Sequence, residues 1–158
     1  MEICIIKELE NHLREKVIFQ TLFLLVAALV TGCSSVKPIA RDQSVPLETF
    51  KRAYVVTPPG SDLAISGYLQ AALSERGVAT GAGALTNMPS DAQFYVTYQA
   101  EKGWDWTVYL MSLNVKLVLP STGKVFAEGE FQRGVAIHSY PDPREKAFEV
   151  IDSIYKAK

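Results

Sequence analysis

Apolar and polar residues follow several rhythms along the chain, and each rhythm predicts an element. Ala53-Tyr54-Val55-Val56-Thr57 is a short, β-rich apolar run stopped by Pro58-Pro59-Gly60, the pattern of a central strand. Helical spacing follows at Ile65, Leu69, Ala72 and Leu73, with Ser61 or Asp62 as cap and Gly77 as stop. Val78 to Pro89 has little period and leaves room for at most a short strand near Val78-Ala79-Thr80. Alternation then takes over. Phe94, Val96 and Tyr98 interleave with Tyr95, Thr97 and Gln99. Tyr109, Met111, Leu113, Val115, Leu117 and Leu119 mark one face of a long strand, opposite Ser112, Asn114 and Lys116. Pro120-Ser121-Thr122-Gly123 is a turn, and Lys124 to Arg133 returns with Glu128 and Glu130 outward, completing a hairpin. The last helix opens with Asp142 as cap, Pro143 at its first position and Glu145 placed for a capping box. Its apolar stripe is Ala147, Phe148, Ile151, Ile154 and Tyr155. The order β-α-(β)-β-β-β-α predicts an α+β fold: a mostly antiparallel sheet of four to five strands with two helices packed on one face.

The front of the chain obeys a different logic. Val17 to Val30 is apolar except for Gln20 and Thr21. As a helix those fourteen residues reach only about 21 Å, short of the roughly 30 Å hydrocarbon core, which fits a signal-peptide apolar region better than a span. Val30-Thr31-Gly32-Cys33-Ser34-Ser35 follows and resembles the lipobox of bacterial lipoproteins: an aliphatic residue, two small residues, then cysteine. Small residues suit a cut made in a narrow peptidase cleft, and only a thiol can take a diacylglycerol as a thioether. The resemblance implies that Cys33 becomes the first mature residue, carrying diacylglycerol and an N-acyl chain, with no other cofactor. Two or more acyl chains hold a protein on a bilayer stably, whereas one holds it marginally. Ser34 follows the cysteine in place of Asp, and by resemblance to the envelope sorting rule this favours the outer membrane. Ser34 to Leu47, with Pro38 and Pro46 and no apolar period, is expected to be a flexible tether. The expected organisation is therefore a signal peptide over 1–32, a tether over 33–47 and a single domain over 48–158.

Length and charge narrow the partners. The 158 residues, 48% apolar and 21% charged, suffice for one core and rule out disorder of the whole chain. Past residue 16 there are thirteen basic and thirteen acidic side chains, so no basic field exists to collect nucleic acid. Only Cys4 and Cys33 occur, and Cys4 lies in the segment expected to be removed, so no internal disulfide or thiolate metal site is expected.

Candidate chemistry is sparse. Trp104-Asp105-Trp106 is the most unusual tripeptide. If extended, it projects both indoles to one face and Asp105 to the other, an aromatic platform for a glycan or a partner protein. The plainer expectation is that the indoles cover a sheet edge or the end of the core. Tyr95, Tyr98 and Tyr109 are expected to be sheet packing. His138, the one histidine beyond the leader, has Ser139 and Asp142 near it in sequence, but adjacency along a loop does not make a Ser/His/Asp apparatus. Gly77 to Gly83 lacks the Lys-Ser/Thr pair of a phosphate loop and follows a helix. Asp105, Glu128 and Glu130 offer carboxylates, the last two at alternate positions of one strand, where a solvated face is the simpler account.

From Asp91 onward the chain resembles a family of small Gram-negative lipoproteins. The matching residues are Asp91-Ala92-Gln93-Phe94-Tyr95-Val96-Thr97-Tyr98, then Trp104-Asp105-Trp106 in place of a Trp-x-Trp-Asp-like segment, then the Pro120 to Gly123 turn. The resemblance implies an α+β domain on a lipid anchor and brings no activity with it. The expected function is a non-catalytic envelope lipoprotein, its domain facing the periplasm and binding an envelope protein or peptidoglycan. The alternative is a glycan-binding or glycan-cleaving module using Trp104, Trp106 and carboxylates such as Asp105 or Glu128. A hydrolase built on His138 is the third reading.

Overall fold

A computed structural model describes residues 35–61, 63–134 and 140–157; the leader, Cys33 and His138 lie outside them. Six strands form one sheet: β1 (Ser35–Arg41), β2 (Arg52–Val56), β3 (Ala79–Gly83), β4 (Phe94–Asp105), β5 (Thr107–Val118) and β6 (Val125–Gln132). Helix α1 (Leu63–Ser74) links β2 to β3, and α2 (Pro143–Lys156) follows β6. Across the sheet the order is β1-β6-β5-β4-β2-β3. β2 is parallel to both of its neighbours, and the other three pairs are antiparallel. The fold is α+β as expected. In detail the sheet is mixed and has six strands, against the four to five mostly antiparallel ones that the pattern predicts.

Both helices share one buried cluster with the sheet. Ile65, Leu69 and Leu73 of α1 and Ala147, Val150, Ile151 and Ile154 of α2 meet Val55, Val96, Leu113, Val115 and Leu117. Gly77, at φ 73°, ends the α1 region as its position predicts, and Val78 N donates back to Leu73 O at 3.2 Å. Asp142 caps α2 by accepting from Arg144 N at 2.8 Å. α2 lies close on β6 because Gly129 has no side chain: a Cβ there would stand 2.8 Å from Ile154 Cγ1 and 3.2 Å from Val150 Cγ1.

Of the stretch expected to be a tether, residues 35–47 are part of the fold. Ser35–Arg41 pairs antiparallel with β6 along the sheet edge, and Leu47 is fully buried. Arg41 explains why this strand stays down. Its side chain is only 7% exposed, and Nη1 donates to the carbonyls of Tyr155 at 2.7 Å, Ala157 at 3.1 Å and Ile154 at 3.3 Å. Nη2 pairs with Glu48. A guanidinium from the first strand thus closes the last turn of the last helix, where orphan carbonyls and the helix dipole favour a cation.

The Gly-rich stretch also has a structural use. Gly81 and Gly83 in β3 lie against the ring of Tyr54 on the adjacent strand, and a Cβ on Gly83 would fall 2.6 Å from the Tyr54 hydroxyl. That hydroxyl donates to Ala84 O at 3.2 Å.

Candidate functional site

The β4–β5 hairpin is longer than the sheet around it. Ser35, Gln132, Ser112 and Glu101 lie on one row across β1, β6, β5 and β4. Beyond that row β1 and β6 have ended, and β4 and β5 continue as a two-stranded ribbon to Asp105↔Thr107, with Trp106 at the apex. A bulge between Glu101 and Lys102 changes the register as the ribbon leaves the sheet. Met111 is the extra residue, and alternation does not pass through it. Leu110 takes the buried place expected of Met111 and Tyr109, while Met111 is exposed and Tyr109 turns to the other face.

The apex carries the indoles in the open. Trp104 is 74% exposed and Trp106 92%, so neither covers a sheet edge or core end as the simpler expectation had it. Trp104 faces its cross-strand neighbour Val108, itself 58% exposed, and Trp106 sits at φ 59° in the left-handed region. That region suits Gly, Asn or Asp and is uncommon for a bulky side chain. The two indoles therefore do not stand two positions apart on one extended face.

The other face of the ribbon is braced. Gly103 leaves space for the Tyr109 ring, which lies where a Cβ would come within 2.5 Å of it. Arg133 stacks over that ring at 4.5 Å, and its Nη1 donates to the Tyr109 hydroxyl at 3.3 Å. Tyr140 meets Tyr109 edge-on at 5.5 Å and donates its hydroxyl to Asp105 Oδ2 at 3.3 Å. Desolvation, then the Asp105 charge and hydrogen bond, push the Tyr140 phenol above its ordinary range. Asp105 is thus tied to the hairpin's support.

Glu128 and Glu130 are neighbours two residues apart on β6, and Asp105 is not brought to them. Glu128 accepts from Asn114 Nδ2 at 2.8 Å and faces Lys116 Nζ at 3.8 Å, mid-sheet. Glu130 stands opposite Asn114 and Asp105 opposite Thr107. Those positions on β5 are roughly 23 Å apart at 3.3 Å per residue, far beyond the roughly 5–9.5 Å between paired carboxyls of glycosidases. Tyr98 is buried with its hydroxyl 3.3 Å from Ser61 Oγ, so the three tyrosines form no strip. Among the described residues no group of three or more His, Cys, Asp or Glu could hold a metal ion. None of the described helices is long and apolar enough to cross a membrane.

One groove opens beside the base of the ribbon, about 630 Å³ in volume, lined by Pro58, Ser61, Ile65, Tyr98, Glu101 and Lys102. Neither the α1–β3 glycines nor the carboxylates above contribute to it.

An α+β domain with two helices on one sheet face and a projecting aromatic hairpin is the class that fold and site define. No family model matches the chain, and no curated protein matches it. Solved structures of similar fold exist. The PelC dodecamer from Paraburkholderia phytofirmans is 15% identical, with a TM-score of 0.52, covering 80% of this chain and 99% of that one. A second PelC dodecamer structure from the same organism gives 14% identity and a TM-score of 0.51, over 77% of this chain and 95% of that one. A PDZ domain protein from Parabacteroides distasonis is 9% identical with a TM-score of 0.50, over 79% of this chain and 36% of that one. At these identities the likeness is one of fold.

Proposed function

We propose that the protein is a lipid-anchored lipoprotein of the bacterial envelope, held through Cys33, whose folded domain works by binding and not by catalysis. The contact element is the β4–β5 apex. The observation that carries this reading is the pair of exposed indoles on a ribbon that extends past the rest of the sheet. Exposed Trp is costly to leave in water and is favoured where surfaces meet. The lipobox-like Val30 to Cys33 supplies the anchor, and Ser34 directs the protein to the outer membrane with its domain in the periplasm. The resemblance to small Gram-negative lipoproteins supports the same placement.

Intact mass and fatty-acid labelling test the anchor. Wild-type protein is expected to carry a diacylglycerol and an N-acyl chain on Cys33, and Cys33→Ser to carry neither. An unprocessed leader or an unmodified sulfur would overturn the reading. Photocrosslinkers at Thr107 and Lys102 in intact cells test the contact element, with reproducible neighbours expected at Thr107.

A second reading is favoured by the same indoles: a peptidoglycan-binding module in which Trp104 and Trp106 stack on sugar rings. Retention on purified peptidoglycan that falls in Trp104→Ala and Trp106→Ala would support it. Unchanged retention would exclude it.

A further inference from the structure

We infer that the β4–β5 apex docks into the headgroup layer of the same bilayer that holds the lipid on Cys33. This rests on the lipid-anchor reading above. Its first support is the direction of the strands. Ser35 is the first residue of β1 and stands on the row Ser35, Gln132, Ser112, Glu101, so the chain enters the sheet on the side where the ribbon leaves it. From Glu101 to Trp106 is five residues, roughly 16 Å at 3.3 Å each. From Ser35 back to Cys33 is two residues, at most about 7 Å. The apex therefore reaches at least roughly 9 Å past the lipid-bearing residue along the strand direction. Interfacial side chains settle about 5–10 Å into the headgroup and acyl boundary, so the two lengths agree.

The second support is chemical. From Gly103 to Val108 the only charge is Asp105, and it already accepts from the Tyr140 hydroxyl. The exposed side chains are the two indoles, Asp105, Thr107 and Val108, with Trp104 and Val108 as cross-strand neighbours on one face. A sugar platform sets several polar groups beside the rings; here they are one threonine hydroxyl and a carboxylate already bonded to Tyr140, and indoles with so few polar neighbours suit a membrane interface. Lys102 and Arg133 stand at the base of the ribbon, at the level where lipid phosphates would lie.

The chain has only two tryptophans, both at the apex, so its intrinsic fluorescence reports on this site alone. The lipidated protein, purified from membranes, is placed in vesicles of phosphatidylethanolamine and phosphatidylglycerol. Brominated phosphatidylcholine is added to one set and aqueous iodide to another. The expected result is flotation with the vesicles, strong quenching by bromines set close to the headgroups, and protection from iodide. With single reporters, Trp106 alone (Trp104→Ser) is expected to be quenched more strongly by bromolipid than Trp104 alone (Trp106→Asn). Protein that floats but is quenched only by iodide would overturn the docking and leave the anchor standing. Floating protein whose indoles are shielded from both quenchers would overturn it too, since another partner then covers the apex. Protein that neither floats nor carries lipid would overturn the anchor, and the docking with it.

Discussion

Replacing Arg41 by alanine asks whether the segment before residue 48 belongs to the fold. In wild-type protein the guanidinium donates to three carbonyls at the end of α2, at 2.7, 3.1 and 3.3 Å, and pairs with Glu48. A hydrogen bond to a charged group contributes about 1.5–3 kcal/mol. One of the three is short and two are long, so they count for roughly 3 kcal/mol together. Glu48 adds little, because its side chain is 62% exposed and is re-solvated when Arg41 is lost. The aliphatic stem of Arg41 packs at the strand edge, and its removal acts in the same direction. For a domain of this size roughly 3 kcal/mol corresponds to a fall in Tm of about 10 °C. Urea unfolding followed by far-UV circular dichroism checks it, with a lower midpoint and an unchanged slope expected. Arg41→Lys is expected to recover part of the loss, since one ammonium can donate to the carbonyls that Nη1 serves but cannot also span to Glu48 as Nη2 does. A substitution in a flexible tether would cost within about 0.5 kcal/mol. A loss of that size would refute the account of β1 as part of the domain.

The remaining predictions concern packing, ionisation and the apex. Gly129→Ala is expected to destabilise by about 1–3 kcal/mol, because the new methyl meets Ile154 and Val150 and pushes α2 off β6; thermal unfolding reads it. Burial holds the Tyr155 phenol at about 12, above the value near 10 of an unfolded tyrosine. The folded state binds that proton more tightly, so its contribution is complete below pH about 10 and is lost as pH climbs towards about 12. Tyr155→Phe should flatten that alkaline fall in Tm. At neutral pH it should change stability by less than about 1 kcal/mol, since the buried hydroxyl has no hydrogen-bond partner among the described residues. Trp106→Gly relieves a left-handed backbone and is expected to stabilise the domain by about 0.5–1 kcal/mol while weakening apex contact; a stability loss would contradict the φ of 59°.

Elements with a strong local signature were legible. The β5–β6 turn, the Asp142-Pro143 start of α2 and the Gly77 stop of the α1 region each carry their own residue chemistry, and all stand where the pattern puts them. β1 left no such mark. Only Val36 and Arg41 among its residues are even half-buried, so it has no apolar period, and Pro38 suggests a linker. Its partner is β6, more than eighty residues away, and its lock is one arginine on a distant helix end. The parallel pairing of β2 with β4 was hidden for a related reason: strand order is not a property of any local window. At the apex the misreading was of burial. Large indoles usually signal a core, and neither Gly, Pro nor Asn marks the turn at Trp106. The bulge at Met111 added a one-residue slip that alternation alone cannot reveal.

The folded β1 changes what an anchor at Cys33 would do. A fourteen-residue flexible tether over 34–47 would place the domain about 20 Å from its lipid on average and let it turn freely. With β1 in the sheet only Ser34 would separate such an anchor from the fold, and the domain could not present its far end to the bilayer. Under that constraint a docking apex would meet the headgroups as an intramolecular event, so even weak interfacial affinity would keep it docked. Inserting a Gly/Ser linker of about fourteen residues between Ser34 and Ser35 restores the freedom that the fold removes. Bromolipid quenching of the apex indoles is then expected to fall, while flotation through the lipid stays complete. Quenching that survives the linker undiminished would mean that the indoles hold the bilayer by their own affinity, and that the short connection to β1 contributes nothing to docking.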